Sequence, residues 1–349
     1  MIEIKEVDRV DDKFVENMLN TPFQQSDFYG KWRKESGYDI KIIEAVENGE
    51  KVFSGLFISC NLMFGKRFFV SHIGPVVKKK FFNTKNIKIF KKEITKILNW
   101  DNNTVFIRMD FGKFDSKTVN RFFKKAFKKT YQGSCFQPRT DWIINLNLSN
   151  DKILKGMHKK SRYDLKLAQK NNLKVDIIEN NFLKYFNSFI KVQKETARRN
   201  KNFIDEKYFK NIFNSLESGE TKGFLVIVLD ESGSNIITMN LIILYGDTAY
   251  FAFGASSKKD RNLGSNYIAN WEAIKKAKME NYEFYNFGGY YDKNNLEVNI
   301  KFLKKSYGYS RFKKRFGGQK LQYNDFVDIV WNKFWYLIFV LYKYYKFYK

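Results

Sequence analysis

Residues 261–266 read Arg-Asn-Leu-Gly-Ser-Asn, directly ahead of Tyr267, Ile268, Trp271 and Ile274 at helical spacing. The first N–H groups of a helix have no internal partner and lie at the positive end of its dipole, so a start opened by Gly264 can hold an anion. Arg261, three residues earlier, adds a charge-assisted bond to a phosphate. Without a ligand, Gly264 and Asn266 read as the cap of a core helix. A second stretch, 301–316, interleaves Lys301, Lys304, Lys305, Arg311, Lys313, Lys314 and Arg315 with Phe302, Tyr307, Tyr309, Phe312 and Phe316. Cations alternating with rings suit an unpaired nucleic-acid end, where phosphates pair and bases stack. The structural reading of the same alternation is a strand with one buried aromatic face and one solvated basic face.

The composition supports a polyanionic partner. The 349 residues hold 63 Lys and Arg against 37 Asp and Glu, a formal net charge of +26. Nucleic acid, an anionic membrane surface and a polyanionic substrate all fit that excess, as does a lysine-rich proteome with no special partner. Cys60 and Cys135 form no CxxC pair and no disulfide framework, and His72 and His158 are too scattered for a metal set or a His-based triad. No metal and no cofactor is implied. The N-terminal stretch is charged throughout, which is not the pattern of a signal peptide, and a cytoplasmic location is expected. The apolar run 334–342 is too short to span a bilayer.

The elements around these stretches occur twice. Residues 40–77 read as three aromatic and β-branched strands with turns at Asn48-Gly49 and Gly65-Lys66. Residues 223–256 repeat the pattern with a turn at Gly246-Asp247, and Gly65 and Gly74 answer Gly246 and Gly254. Helices are expected at 25–36, 86–100, 116–129, 150–170, 183–199, 206–216 and 264–280 from apolar spacing near 3.6. Antiparallel strands, then strand, loop, helix and strand, is the order of GNAT-type N-acyltransferases. The expected fold is therefore α/β, two tandem GNAT-like domains with mixed sheets flanked by helices. The expected divisions are 1–149, 150–325 and a terminal aromatic, basic helix at 326–349.

Five segments in order, "PFQQSDFYGKWRKESGYD", "HIGPVV", "HKKSRYDLKLAQKNNLKV", "GASSKKDRNLGSNYIANWEAIKKAKMENYEFYNFGG" and "SRFKKRFGG", resemble the Fem family of peptidoglycan-bridge aminoacyltransferases. The resemblance runs from about residue 20 to 325. It implies transfer of an aminoacyl group from aminoacyl-tRNA to a side-chain amine on the stem peptide of a lipid-linked or UDP-linked muropeptide. No long heptad-patterned insertion lies between Leu183 and Leu216, so the compact form without the coiled-coil arm of some relatives is expected.

The resemblance carries roles onto particular residues. The family's Phe-Lys pair falls on Phe312 and Lys313, which makes Lys313 the first catalytic candidate, with Lys314, Arg315, Lys305 and Arg261 as further contacts to tRNA. Lys31 matches a lysine that binds acceptor diphosphate, Tyr208 a tyrosine of the same pocket, and Gly264 and Asn266 the adjoining loop. Asp110 matches an acidic residue that positions or deprotonates the acceptor amine; its structural reading is a carboxylate paired with Arg108 or a lysine. Three positions depart from the pattern: Ile204 stands where a relative has a phosphate-binding arginine, Phe253 replaces a tyrosine, and Asn286 replaces an aspartate before Phe-Gly-Gly.

Two other function classes fit parts of the sequence. An acyl-coenzyme A N-acyltransferase would use the 261–266 loop for the pyrophosphate, although Asn266 sits where a small residue is expected. A noncatalytic RNA- or membrane-binding protein would account for the charge alone. Trp331, Trp335 and Tyr336 mixed with Lys333, Lys343, Lys346 and Lys349 suit peripheral contact with an anionic membrane, or else a helix that covers an apolar flank.

Overall fold

The computed structural model describes residues 2–17, 22–127, 130–132, 138–200, 204–257, 262–291 and 300–348. In chain order the elements are β1 (Ile2–Val7), α1 (Asp12–Glu16), α2 (Asp27–Glu35), β2 (Ile40–Glu47), β3 (Glu50–Asn61), β4 (Arg67–Val70), β5 (Val76–Val77), α3 (Thr84–Leu98), β6 (Thr104–Met109), α4 (Ser116–Ala126) and β7 (Thr130–Gln132). Then follow β8 (Thr140–Asn145), α5 (Asn150–Gly156), α6 (Lys159–Lys170), β9 (Lys174–Ile178), α7 (Phe182–Asn200), α8 (Glu206–Glu217), β10 (Lys222–Leu229), β11 (Ile236–Tyr245) and β12 (Thr248–Ser256). The chain ends with α9 (Ser265–Met279), β13 (Phe284–Gly289), α10 (Ile300–Lys314), β14 (Gln319–Gln322), β15 (Val327–Val330) and α11 (Lys333–Tyr348).

The elements form two compact units. The first is built on an eight-stranded sheet of order β1-β2-β3-β4-β6-β15-β7, with β5 paired to β3. The second has a seven-stranded sheet of order β14-β8-β13-β12-β11-β10-β9. Reading the second list backwards gives the same scheme: a meander of four strands, one parallel partner (β4 with β6, β12 with β13), then an antiparallel strand. The repeat expected from the glycine-marked turns is present. Asn48 and Gly49 both take positive φ, 51° and 81°, which matches a two-residue turn to the twist of β2 and β3.

The units do not divide at residue 149. Thr140–Asn145 pairs with β13 and belongs to the second sheet, whereas β15 and α11, near the chain's end, belong to the first unit. Strand pairing outweighs closeness in sequence here, because each parallel strand needs an antiparallel neighbour on its open side.

Two expected elements take another form. The single helix at 150–170 is two, because Met157 and His158 are extended (ψ 147° and 145°). His158 caps α6 by accepting the Lys160 N–H at 3.1 Å on its Nδ1. The cation-and-ring stretch is a helix, α10, and not a strand. Phe312 and Phe316, four residues apart, share one face and pack together with ring centroids 5.2 Å apart.

The first unit closes around a buried ion pair. Arg108 on β6 donates from Nε to Asp328 Oδ1 on β15 at 2.7 Å, and the Tyr336 hydroxyl of α11 donates to Asp328 Oδ2 at 2.7 Å. Both charged side chains are excluded from solvent, and the guanidinium also lies against the rings of Phe106, Phe326 and Phe339. Asp328→Ala is expected to cost about 3–5 kcal/mol in urea denaturation, because it strands a buried cation. Replacing both partners, Arg108→Met with Asp328→Leu, is expected to recover most of that loss.

Candidate active site

In the second unit, β12 and β13 pair only from Thr248–Phe284 to Tyr250–Asn286. Beyond that β12 runs on to Ser256 and β13 to Gly289. Lys313, in the last turn of α10, reaches this stretch and donates its ammonium to the Gly289 carbonyl at 2.6 Å. Burial lowers the Lys313 pKa to about 8, and the negative charge of Asp141 on β8 partly opposes the shift. Asp141 is held in turn: Asn286 donates its amide to Asp141 Oδ2 at 2.9 Å and accepts the Gly288 N–H at 2.7 Å. Gly288 has φ +69°, and a Cβ there would stand 4.0 Å from Lys313 Nζ.

The end of α10 is fixed from below. The Arg315 carbonyl accepts from the His158 N–H and the Ser161 hydroxyl, each at 2.9 Å. Gly317 and Gly318 take φ +78° and +84°, and a Cβ on either would strike backbone, at Gly156 O and Ile143 O. The two glycines of "SRFKKRFGG" are therefore required where the chain turns beneath "HKKSRYD".

The loop at α9 joins the same neighbourhood. Arg315 Nη1 lies 3.5 Å from the Tyr267 hydroxyl, and the Tyr267 ring lies 5.1 Å from that of Phe312. Gly264 is left-handed (φ +80°), and a Cβ would fall 2.1 Å from the Asp164 carbonyl of α6. Ser265 is buried, with its hydroxyl 2.9 Å from that of Thr238. Close packing of α6 accounts for the glycine without an anion. Asn266 is partly buried, and its carbonyl accepts from Asn270 at 2.9 Å. Arg261 lies outside the described residues; Lys305 lies on α10, but its side chain is outside the description.

Lys314 is exposed beside Lys313. Tyr208 begins α8 and packs edge-on against Phe253, centroids 6.2 Å apart. The ring at 253 thus keeps an aromatic contact although it lacks a hydroxyl.

In the first unit, Lys31 is on the exposed side of α2. Asp110 ends β6 and is buried, and desolvation raises its pKa to about 7. Its Oδ1 accepts the Gly112 N–H at 2.9 Å. Pairing with Arg108 is not what the structure shows, since that guanidinium is directed to Asp328. Gln25 ties this region together, donating to the His72 carbonyl at 2.7 Å and accepting the Leu56 N–H at 3.1 Å. A Cβ on Gly74 would collide with the Gln25 amide at 2.3 Å, so "PFQQ" and "HIGP" fit each other directly. His72 is a structural neighbour of Gly74, with burial holding its imidazole pKa down at about 3.

The family model "FemAB family" matches residues 125–230. A lipid II:glycine glycyltransferase of Staphylococcus epidermidis is 24% identical over 48% of this chain and 54% of that protein. The chain thus aligns with about half the length of the curated relative. The crystal structure of FemX superposes with a TM-score of 0.77, covering 96% of this chain and 99% of FemX at 17% identity. The chain is thus similar to Fem-family proteins in part of its sequence and in its fold. A tandem GNAT protein of clavulanic acid biosynthesis shares the fold at a TM-score of 0.52, 8% identity, covering 94% of this chain and 98% of that one.

Sequence reasoning missed Asp141. It lies inside "TDWIINLNL", where it reads as one polar residue in a strand, and only the pairing of β8 with β13 brings it to Asn286 and Lys313. Asn286 departs from the family's aspartate at that position, and the carboxylate it contacts comes from the adjacent strand instead. Asn286→Asp would set two buried carboxylates in contact. The expected loss of stability is roughly 2 kcal/mol at neutral pH. One carboxyl would have a raised folded pKa, so the loss should shrink as pH falls toward 4 and grow toward pH 8, as read from denaturation midpoints across that range.

Proposed function

We propose that this chain transfers an aminoacyl group from aminoacyl-tRNA to a side-chain amine of a peptidoglycan stem peptide. The observation that carries the reading is Lys313, a half-buried ammonium at the end of α10 whose pKa burial lowers to about 8, beside exposed Lys314 and adjacent in sequence to Phe312, which packs on Phe316. The family match, the glycyltransferase relative and the net charge of +26 support it. The lipid-linked acceptor is favoured over the UDP-linked one, because the relative is named for lipid II. The reaction would then take place on the inner face of the cell membrane.

An aminoacyl ester is already activated. The neutral acceptor amine adds to the ester carbonyl, a C–N bond forms, the C–O bond to the terminal ribose breaks, and the ribose oxygen leaves as the tRNA hydroxyl, taking up the proton that the amine nitrogen gives up. The acceptor amine must lose a proton on the way, since an ordinary lysine amine has a pKa near 10.4. Lys313, as ammonium, stabilises the oxyanion of the tetrahedral intermediate. Asp110 keeps its assignment from the sequence, to position or deprotonate the acceptor amine, a role suited to a carboxyl that titrates near neutrality. Lys31 and Tyr208 are assigned to the acceptor, and Lys314, Arg315, Lys305 and Arg261 to tRNA. Affinity for tRNA should fall steeply with salt.

Two predictions test the roles. Lys313→Ala should lower turnover by at least about tenfold with the fold intact. In the wild type the rate should fall as pH rises through about 8, where Lys313 loses its charge. Lys313→Arg should keep its rate above that pH, because guanidinium stays charged.

The function itself is tested by supplying radiolabelled amino acids as bulk aminoacyl-tRNA to lipid-linked and nucleotide-linked muropeptides, with acetyl-coenzyme A in parallel. Label on a muropeptide is the expected result and identifies donor and acceptor together. Turnover with acetyl-coenzyme A alone would make this an acyl-coenzyme A enzyme of the same fold, and no turnover with either would leave a binding protein.

A further inference from the structure

One end of the first unit's sheet exposes apolar side chains from three separate elements. The inner face of α11 is used: Tyr336 and Phe339 are buried and pack on Phe106, with centroids 5.1 and 4.8 Å away. Its outer face is not. Phe334 is 68% exposed, and Leu337 and Leu341, three and seven residues on, are more than half exposed. That spacing makes one apolar stripe along the helix.

The turn between β3 and β4 extends the stripe. Phe64 at its tip is 80% exposed, with Met63 beside it, and the Phe64 ring lies 5.5 Å from Trp335. Phe64 takes φ +57°, a left-handed conformation that suits Gly or Asn and strains an aromatic residue. Arg67, which opens β4, lies 5.7 Å from the exposed ring of Trp100 and so brings a third element to the same end.

Charge selects the occupant. No acidic residue follows Asp328, and the last seventeen residues carry Lys333, Lys343, Lys346 and Lys349. A second copy would bring another chain of net charge +26 against this one, whereas an anionic surface is attracted to it. No helix among the described residues is long and apolar enough to cross a membrane. Phe and Leu beneath, Trp and Tyr at the headgroups and Lys outside is the arrangement of an interfacial helix.

We propose that the outer face of α11, together with the Met63–Phe64 tip and Trp100, docks the first unit on the surface of an anionic phospholipid bilayer. The surface is independent of the transfer reaction, since a chain with no transferase activity would still dock. A transferase acting on a lipid-linked acceptor would gain from it, because docking confines the enzyme to the plane that holds its substrate.

The test is co-sedimentation of the full chain with vesicles of phosphatidylglycerol and phosphatidylcholine, and with vesicles of phosphatidylcholine alone. Wild type should pellet with the anionic vesicles and lose binding as salt rises. Phe64→Ser combined with Leu337→Ser and Leu341→Ser should lower the bound fraction by about fivefold or more at unchanged circular dichroism. Phe64→Gly separates docking from folding: it should raise the denaturation midpoint by relieving the left-handed strain and yet weaken vesicle binding. Wild type that fails to pellet, or a triple variant that pellets as wild type does, would overturn the proposal. So would sedimentation velocity showing a wild-type dimer that the triple variant abolishes, because the face would then belong to a second copy.

Discussion

The ladder between β12 and β13 stops after three residue pairs, and the second unit's chemistry follows from that limit. Parallel strands that stay in register satisfy each other's backbone and leave no reason for a side chain to approach. Here β13 continues to Gly289, and a lysine from the far end of the chain donates to its carbonyl. That position desolvates the ammonium, which lowers its pKa, while Asp141 prevents a larger fall. The protein thus holds a cation that is weakly solvated and still charged at neutral pH, the state in which a cation best stabilises a developing oxyanion. Its support is backbone geometry, two left-handed glycines and an α6 start that grips the Arg315 carbonyl.

The first unit repeats the sheet but treats the same place differently. Past the paired part of β4 and β6, the Gly74 carbonyl accepts the N–H groups of both Asp110 and Phe111. The Gln25 amide packs where a Gly74 side chain would stand. Asp110 is buried by this closure, and that burial keeps its carboxyl near neutrality. Two residues before Asp110, at the same end of β6, Arg108 and Asp328 attach the last strand, and Tyr336 attaches the last helix to that pair. One face of α11 is consumed in this way, which leaves the other to face outward.

What could be read from the sequence was local or carried by motifs. Turns at Asn48-Gly49 and Gly246-Asp247, with alternating apolar strands around them, announced two similar sheets. The Fem-like segments were legible because they are mutual fits: "PFQQ" with "HIGP", and "HKKSRYD" with the two glycines after Phe316. Long-range pairing was not legible. The assignment of 140–145 to the second sheet depends on β13, some 140 residues later, and Asp141 gains its partners only there. The helix at 300–314 was hidden because Phe312 and Phe316 fit either period when basic residues fill every gap. The break at Met157 was hidden too, since no Gly or Pro marks it and the His158 cap is a matter of backbone angle.

The central claim is that Lys313 is a desolvated ammonium. Its own titration measures this most directly, by NMR of the ε-position in protein labelled at lysine, with Lys313→Arg identifying the resonance. A midpoint near 8, falling further in Asp141→Asn, is the result this account predicts. A midpoint near the ordinary 10.5, unmoved by Asp141→Asn, would place the side chain in solvent and contradict it.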